Sequence, residues 1–165
     1  IGENHAAFVD AVFRAPAPMP AAAQKESFRS VLGDTLAEDC SYHVVQAVHD
    51  SFCGMIEEHK ANKIEEPLKV SKGIVKQVLK SCGVTEERVE QFEERYDHVF
   101  GEEACLPPRN LIDTKQMEIK TPDVTIRVHP DRSDLVETRI IDGARYILIR
   151  AEGDVQVNGI SIHID

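Results

Sequence analysis

The chain has 165 residues and 29 Asp and Glu against 19 Lys and Arg, a formal net charge of −10. Such a surface repels phosphate backbones, which excludes general nucleic-acid binding, and no apolar run approaches the length needed to cross a bilayer. The length suits one domain or two small ones, and a hydrophobic fraction of 42% with no Trp and 5% aromatic residues is enough for a core.

The charge is uneven. Through Asp113 there are 20 acidic and 12 basic residues, and beyond it 9 and 7. No run reaches five like charges, so the acidity reads as solvated helical surface rather than an interaction tail. Ile1 is not an initiator methionine, which predicts a fragment or processed product with an N-terminal region missing, and the start lacks a signal-peptide pattern.

Taken in order, Glu3 to Arg14 carry Phe8, Val9, Val12 and Phe13 at helical spacing, ahead of the stiff segment Ala15-Pro16-Ala17-Pro18. This first unit, residues 1–18, is expected to continue from the missing region. A second helix starts near Pro20, with Phe28, Val31, Leu32 and Leu36 as its apolar stripe. Asp39 or Ser41 caps a third helix from Tyr42 to about Ala61, with Val45, Val48, Phe52, Met55 and Ile56 inward. Ser71 caps a fourth, with Ile74, Val75, Val78 and Leu79 inside. Thr85 caps a fifth, with Val89, Phe92, Tyr96, Val99 and Phe100 inside and Gly101 as its stop. Residues 19–105 thus form a helical unit, and Leu106 to Asp113, with Pro107-Pro108, lead into a β unit over 106–165.

In that unit Met117 and Ile119 alternate on odd numbers, and Val124, Ile126 and Val128 on even ones. The parity change at Thr121-Pro122 predicts a bulge or a break. His129 to Asp134 is a turn. Asp142-Gly143 and Asn158-Gly159 are type I′ hairpin dipeptides, because both central residues need positive φ. Two-residue loops there set Ile140 opposite Arg145, Thr138 opposite Ile147, Val136 opposite Ile149, Val157 opposite Ile160 and Val155 opposite Ile162. The first of these hairpins is partly apolar on both faces, as in the middle of a sheet or under a helix. The fold class is α+β: about five helices, then a five- to six-stranded antiparallel meander with the helices covering one sheet face.

Four features invite a chemical reading. Ser71 to Phe100 has the outline of a helix-turn-helix, but its second helix carries Glu86, Glu87, Glu90, Glu93, Glu94 and Asp97 against Arg88 and Arg95, so it opposes DNA and reads as an αα-hairpin. His49 and Cys53 share a helix face and could ligate a metal with His43 or His59, yet zinc needs three or four ligands and no second pair stands at ligand spacing. Arg127, His129, Arg132 and Ser133 could capture an anion or phosphopeptide, with His129 also a candidate for a metal or catalytic role; cross-strand pairing of these arginines with acidic neighbours is the competing reading. Cys40, Cys53, Cys82 and Cys105 form no C-x-x-C pair and read as reduced, buried thiols of a cytoplasmic protein. No nucleophile elbow, phosphate loop or dinucleotide fingerprint is present, so no catalytic residue and no cofactor is assigned.

Lys120-Thr121-Pro122-Asp123-Val124, Asp134 to Arg139, Ile141-Asp142-Gly143 and Val155 to Ile160 resemble the C-terminal part of a bacterial family of uncharacterised proteins, domain of unknown function 4317. Gln24 to Phe28 and Ile56 to Lys60 fit the same pattern. The resemblance implies a bacterial, cytoplasmic origin and a longer parent chain, and it brings no activity or catalytic residues. The reading that follows is a non-catalytic interaction or regulatory module. Its partner is the missing N-terminal region, another protein, or a second copy joined through an edge strand; nucleic acid and membrane are not expected partners.

Overall fold

The computed structural model describes residues 19–165, so the helix expected over Glu3 to Arg14 lies outside the described residues. Four α-helices come first: α1 (Ala21–Leu36), α2 (Tyr42–Ala61), α3 (Lys72–Ser81) and α4 (Glu86–Phe100). Their ends follow from capping chemistry. The Ser41 hydroxyl accepts from the Val44 amide and the Thr85 hydroxyl from the Arg88 amide, each satisfying a donor that the first turn leaves free. Ser71 holds the N-cap position of α3 without that side-chain bond. Gly101, at φ 108°, stops α4 where a side chain would be strained.

α1 packs on α4, α4 on α3 and α3 on α2. The core they enclose is built on Phe28, Phe52, Phe92 and Tyr96, with Val31, Leu36, Val44, Val48, Val75, Leu79 and Val89 between them. Phe28 and Phe52 meet with centroids 5.9 Å apart, as do Phe92 and Tyr96, within the range of favourable tilted ring pairs. Val45, expected inside, is 44% exposed; Val44, one position earlier, takes the buried place. Lys72 pairs with Asp97, and Lys76 with Glu93 at 2.6 Å, across α3 and α4. A two-stranded ribbon of β1 (Val70–Ser71) and β2 (Cys105–Leu106) ties together the chain entering α3 and leaving α4. Two residues are too few to carry a periodic signal, which is why the sequence does not reveal it.

Six further strands follow: β3 (Met117–Lys120), β4 (Thr125–Val128), β5 (Val136–Ile141), β6 (Ala144–Ile149), β7 (Val155–Val157) and β8 (Ile160–Ile162). The expected registers of the last two hairpins hold at every pair. Asp142 and Asn158, at φ 50° and 51°, and Gly143 and Gly159, at 82° and 79°, adopt the left-handed turn the dipeptides predict.

Two expectations are corrected. The parity change at Thr121-Pro122 is neither a bulge nor a break but a hairpin turn: the Thr121 amide donates to the Val124 carbonyl at 2.8 Å, Val124 sits in the turn, and Ile119 faces Ile126. The strands also do not join into one meander sheet with helices on a face; they form separate two-stranded sheets. The helices satisfy their apolar stripes against one another, so no helical face is left to template a sheet. The segment between β4 and β5, a 3-10 stretch over Pro130–Leu135, is pinned to α2 instead of returning β5 along β4.

Phe52→Ala should cost about 3–5 kcal/mol, because the side chain is fully buried and the bundle cannot collapse around the void; denaturant unfolding measures it. Burial first, with Cys105 and Asp97 adding to it, pushes the Tyr96 hydroxyl up to about 12, and that hydroxyl donates to the Ala104 carbonyl at 2.7 Å. The folded state therefore holds this proton more tightly than the unfolded chain. Its contribution is complete below pH ~10 and is lost as pH rises toward 12. Melting curves of Tyr96→Phe should lack that part of the alkaline loss.

Candidate functional site

Tyr42, Gln46 and Asp50 recur every four residues and so line one face of α2. Ser133 docks on that face. Its carbonyl accepts from the Tyr42 hydroxyl at 2.7 Å, its hydroxyl accepts from Gln46 Nε2 at 2.9 Å, and the hydroxyl donates to Asp50 Oδ2 at 3.4 Å. Ser133 is 4% exposed, so it anchors the loop and has no free donor for an anion.

The other anion candidates are similarly engaged. Arg132 reaches Asp134 at 3.2 Å and Glu152 at 3.0 Å, and Arg150 reaches the same two carboxylates at 3.0 and 3.1 Å. Two cations and two anions close a neutral square at the base of the β5–β6 hairpin. The Arg150 amide adds a bond to the Leu135 carbonyl at 2.8 Å. Hydrogen bonds from Arg132 hold the Asp134 and Glu152 carboxyls below their ordinary range, and those same bonds raise Arg132. Arg127 faces Glu118 at 3.7 Å, and His129 Nδ1 accepts from the Asp131 amide at 3.3 Å. An incoming anion would have to displace carboxylates already in place.

The metal candidates come together only in part. His49 is 6% exposed, and its Nε2 donates to the Asp113 carbonyl at 2.7 Å. That bond leaves Nδ1 facing Asp50 Oδ1 at 3.7 Å and Cys53 Sγ at 3.8 Å. His43 is exposed, six residues from His49 and so on a different face of α2. His59 Nε2 bonds the Glu66 carbonyl at 2.6 Å. No three His, Cys, Asp or Glu side chains gather to hold a metal ion among the described residues. Burial pushes the Cys53 thiol up, and Asp50, Glu57 and Asp131 push it further. A thiol so placed stays protonated at neutral pH and is a poor nucleophile. Cys40, Cys53 and Cys82 are half-buried and Cys105 is exposed, so none is fully buried as expected; all four are free.

The β5–β6 hairpin, expected in the middle of a sheet or under a helix, is instead largely exposed. Of eleven large exposed hydrophobics among the described residues, nine lie between Val124 and Ile164, with Ile140 at 76% and Ile160 and Ile164 at 69% the most exposed. A groove of about 720 Å³ runs between Lys120–Pro122 and the β5–β6 hairpin, floored by Ile140, Tyr146 and Ile147. The alternation that identified these strands also identified these residues as sheet-forming, but not that their faces would stay open.

A family model described as Domain of unknown function (DUF4317) matches residues 1–160, and the chain belongs to that family. No curated protein and no solved structure matches it.

Ser133→Ala should cost about 1 kcal/mol, since it leaves Gln46 and Asp50 without their shared partner. The Arg132–Arg150 square should loosen as pH falls below the ordinary carboxyl values of 3.8 and 4.5, because depressed carboxyl pKa values stabilise only while the groups are ionised. Arginine side-chain NMR signals followed from pH 6 to 3 report it; signals unchanged across that range would contradict it. Calorimetric titration with zinc should give no one-to-one complex, and a complex lost in His49→Ala would restore the metal reading.

Proposed function

We propose that this member of the domain of unknown function 4317 family is a non-catalytic interaction module, whose acidic helical bundle carries a docking surface on its C-terminal hairpins. The observation that supports it is the concentration of nine exposed large hydrophobics in the hairpin segment, against two, Val45 and Ile64, in the rest of the described chain. An isolated two-stranded hairpin is marginal in water, and three or more strands or a covering layer are what stabilise such apolar faces. A partner that adds a strand or covers the faces supplies both. The partner classes are a further region of the same protein, another protein, or a second copy. Four free thiols fit a reducing, cytoplasmic setting.

The paired replacement Ile140→Lys with Ile160→Lys tests this reading. Both side chains are mostly exposed, so the melting temperature should move by no more than about 0.5 kcal/mol per site implies. Binding of a hydrophobic dye to the native protein should fall. A loss of stability on the scale of Phe52→Ala would mean that the hairpin faces are buried within the chain, and the reading would fail.

A further inference from the structure

We propose that the partner at this surface is a second copy of the chain, joined edge to edge through β5 about a two-fold axis at Thr138. The proposal rests on the interaction-surface reading and names its occupant.

Hydrogen bonding decides which groups are available. The Arg150 amide donates to the Leu135 carbonyl, so Leu135 and Arg150 form a hydrogen-bonded pair. Residues along an antiparallel ladder alternate in this respect. With the register continuing from Val136↔Ile149 to Ile141↔Ala144, Glu137, Arg139 and Ile141 bond inward to β6. Thr138 and Ile140 therefore aim their backbone N–H and C=O groups off the outer edge of β5, whereas Val136 is buried and its amide donates to the Ser133 carbonyl. Among the described residues no strand pairs there.

An antiparallel copy centred on Thr138 uses those open groups. Thr138 faces the partner's Thr138, the pair exchanging both backbone bonds, and Ile140 faces the partner's Val136, where the Val136 amide is already engaged and the bond left to form runs from the Ile140 amide to the Val136 carbonyl. The same register sets Glu137 against the partner's Arg139 and Arg139 against the partner's Glu137, at the closely spaced positions between the bonded pairs. Glu137 and Arg139 already meet at 2.9 Å within one chain, so the interface gathers four charges of alternating sign. Leu135 meets the partner's Ile141. Charge, apolar matching and backbone direction agree on one register, as a self-complementary two-fold contact requires.

The neighbouring edges do not offer this. Centring β5 on Glu137 or Arg139 sets like charges face to face and calls on backbone groups that already bond β6. β3 has the same alternation in Glu118-Ile119-Lys120. However, the Thr121 amide bond to Val124 and the register Ile119↔Ile126 direct Ile119 inward to β4, so a pairing centred there has no free backbone groups. β6, with Ala144, Arg145, Tyr146, Ile147, Leu148 and Ile149, has no acidic residue to oppose Arg145. β7 and β8 have three residues each, too short to hold a register.

Sedimentation equilibrium of the full chain over a concentration series tests the proposal. Wild-type protein should be a dimer. Glu137→Arg alone and Arg139→Glu alone each set like charges opposite one another, and should weaken the dimer at least about tenfold. Mixing the two variants one to one should restore it, because each reversed charge then meets its opposite across the interface. Both positions are exposed, and unchanged melting temperatures show that the fold is kept. Wild-type protein that stays monomeric, a dimer indifferent to both reversals, or variants that fail to rescue each other would overturn the proposal. A wild-type monomer whose dye binding still depends on Ile140 sinks the second copy while leaving the interaction surface standing. A monomer that binds no dye sinks both.

Discussion

The constraint on which the rest of the molecule depends is that the four helices close their core on themselves. Phe28, Phe52, Phe92 and Tyr96 are each about 2% exposed or less, and the aliphatic residues between them are buried with them. In many α+β proteins a helical layer and a sheet need each other, because each presents an apolar face that must be covered. Here the helical layer is already satisfied, and among the described residues the strands that follow form separate two-stranded sheets with exposed apolar faces. Of the buried hydrophobic residues, only Met117 and Val136 belong to the six C-terminal strands. Both lie at strand starts, close to where the chain leaves the bundle.

Attachment of the hairpins to the bundle is accordingly polar. Ser133 sits in a cradle of Tyr42, Gln46 and Asp50, and the Arg132, Asp134, Arg150 and Glu152 square closes behind it. The square is exposed, and ion pairs in that setting contribute little to stability. Its effect is geometric: it fixes where the β5–β6 ribbon leaves the body, while among the described residues no strand pairs with the outer edge of β5 beyond Val136. The same ion pairs engage these arginines with carboxylates of their own chain. The half-buried Cys53 is held protonated among carboxylates.

Much of this was legible in the sequence because it is local. Asp142-Gly143 and Asn158-Gly159 specify their turns through backbone conformation alone, and the turns fix the registers. The helix from Tyr42 to Ala61 follows from its Ser41 cap and its apolar period. His49 and Cys53, four apart on a helix, were bound to be neighbours. The assembly of elements was not legible. The bond from Tyr42 to Ser133 spans 91 residues and leaves no local trace, yet it separates β4 from β5 and prevents a single sheet. Val124 alternates correctly with Ile126 and Val128 but sits in a turn, because the Thr121–Val124 bond closes one residue earlier than the pattern implied. Whether a hydrophobic alternation will be covered depends on what else in the chain needs covering, and period-2 patterning does not encode that.

The central claim is that the hairpin segment is finished by association. Residue-resolved amide hydrogen exchange at low and high protein concentration tests it most directly. The amides of Thr138 and Ile140 should exchange freely in dilute protein and become protected as concentration rises, while those of Glu137, Arg139 and Ile141 change less and the core amides of α2 and α4 not at all. Protection of Thr138 and Ile140 that is the same at every concentration would contradict the account, whether those amides are shielded throughout or exposed throughout.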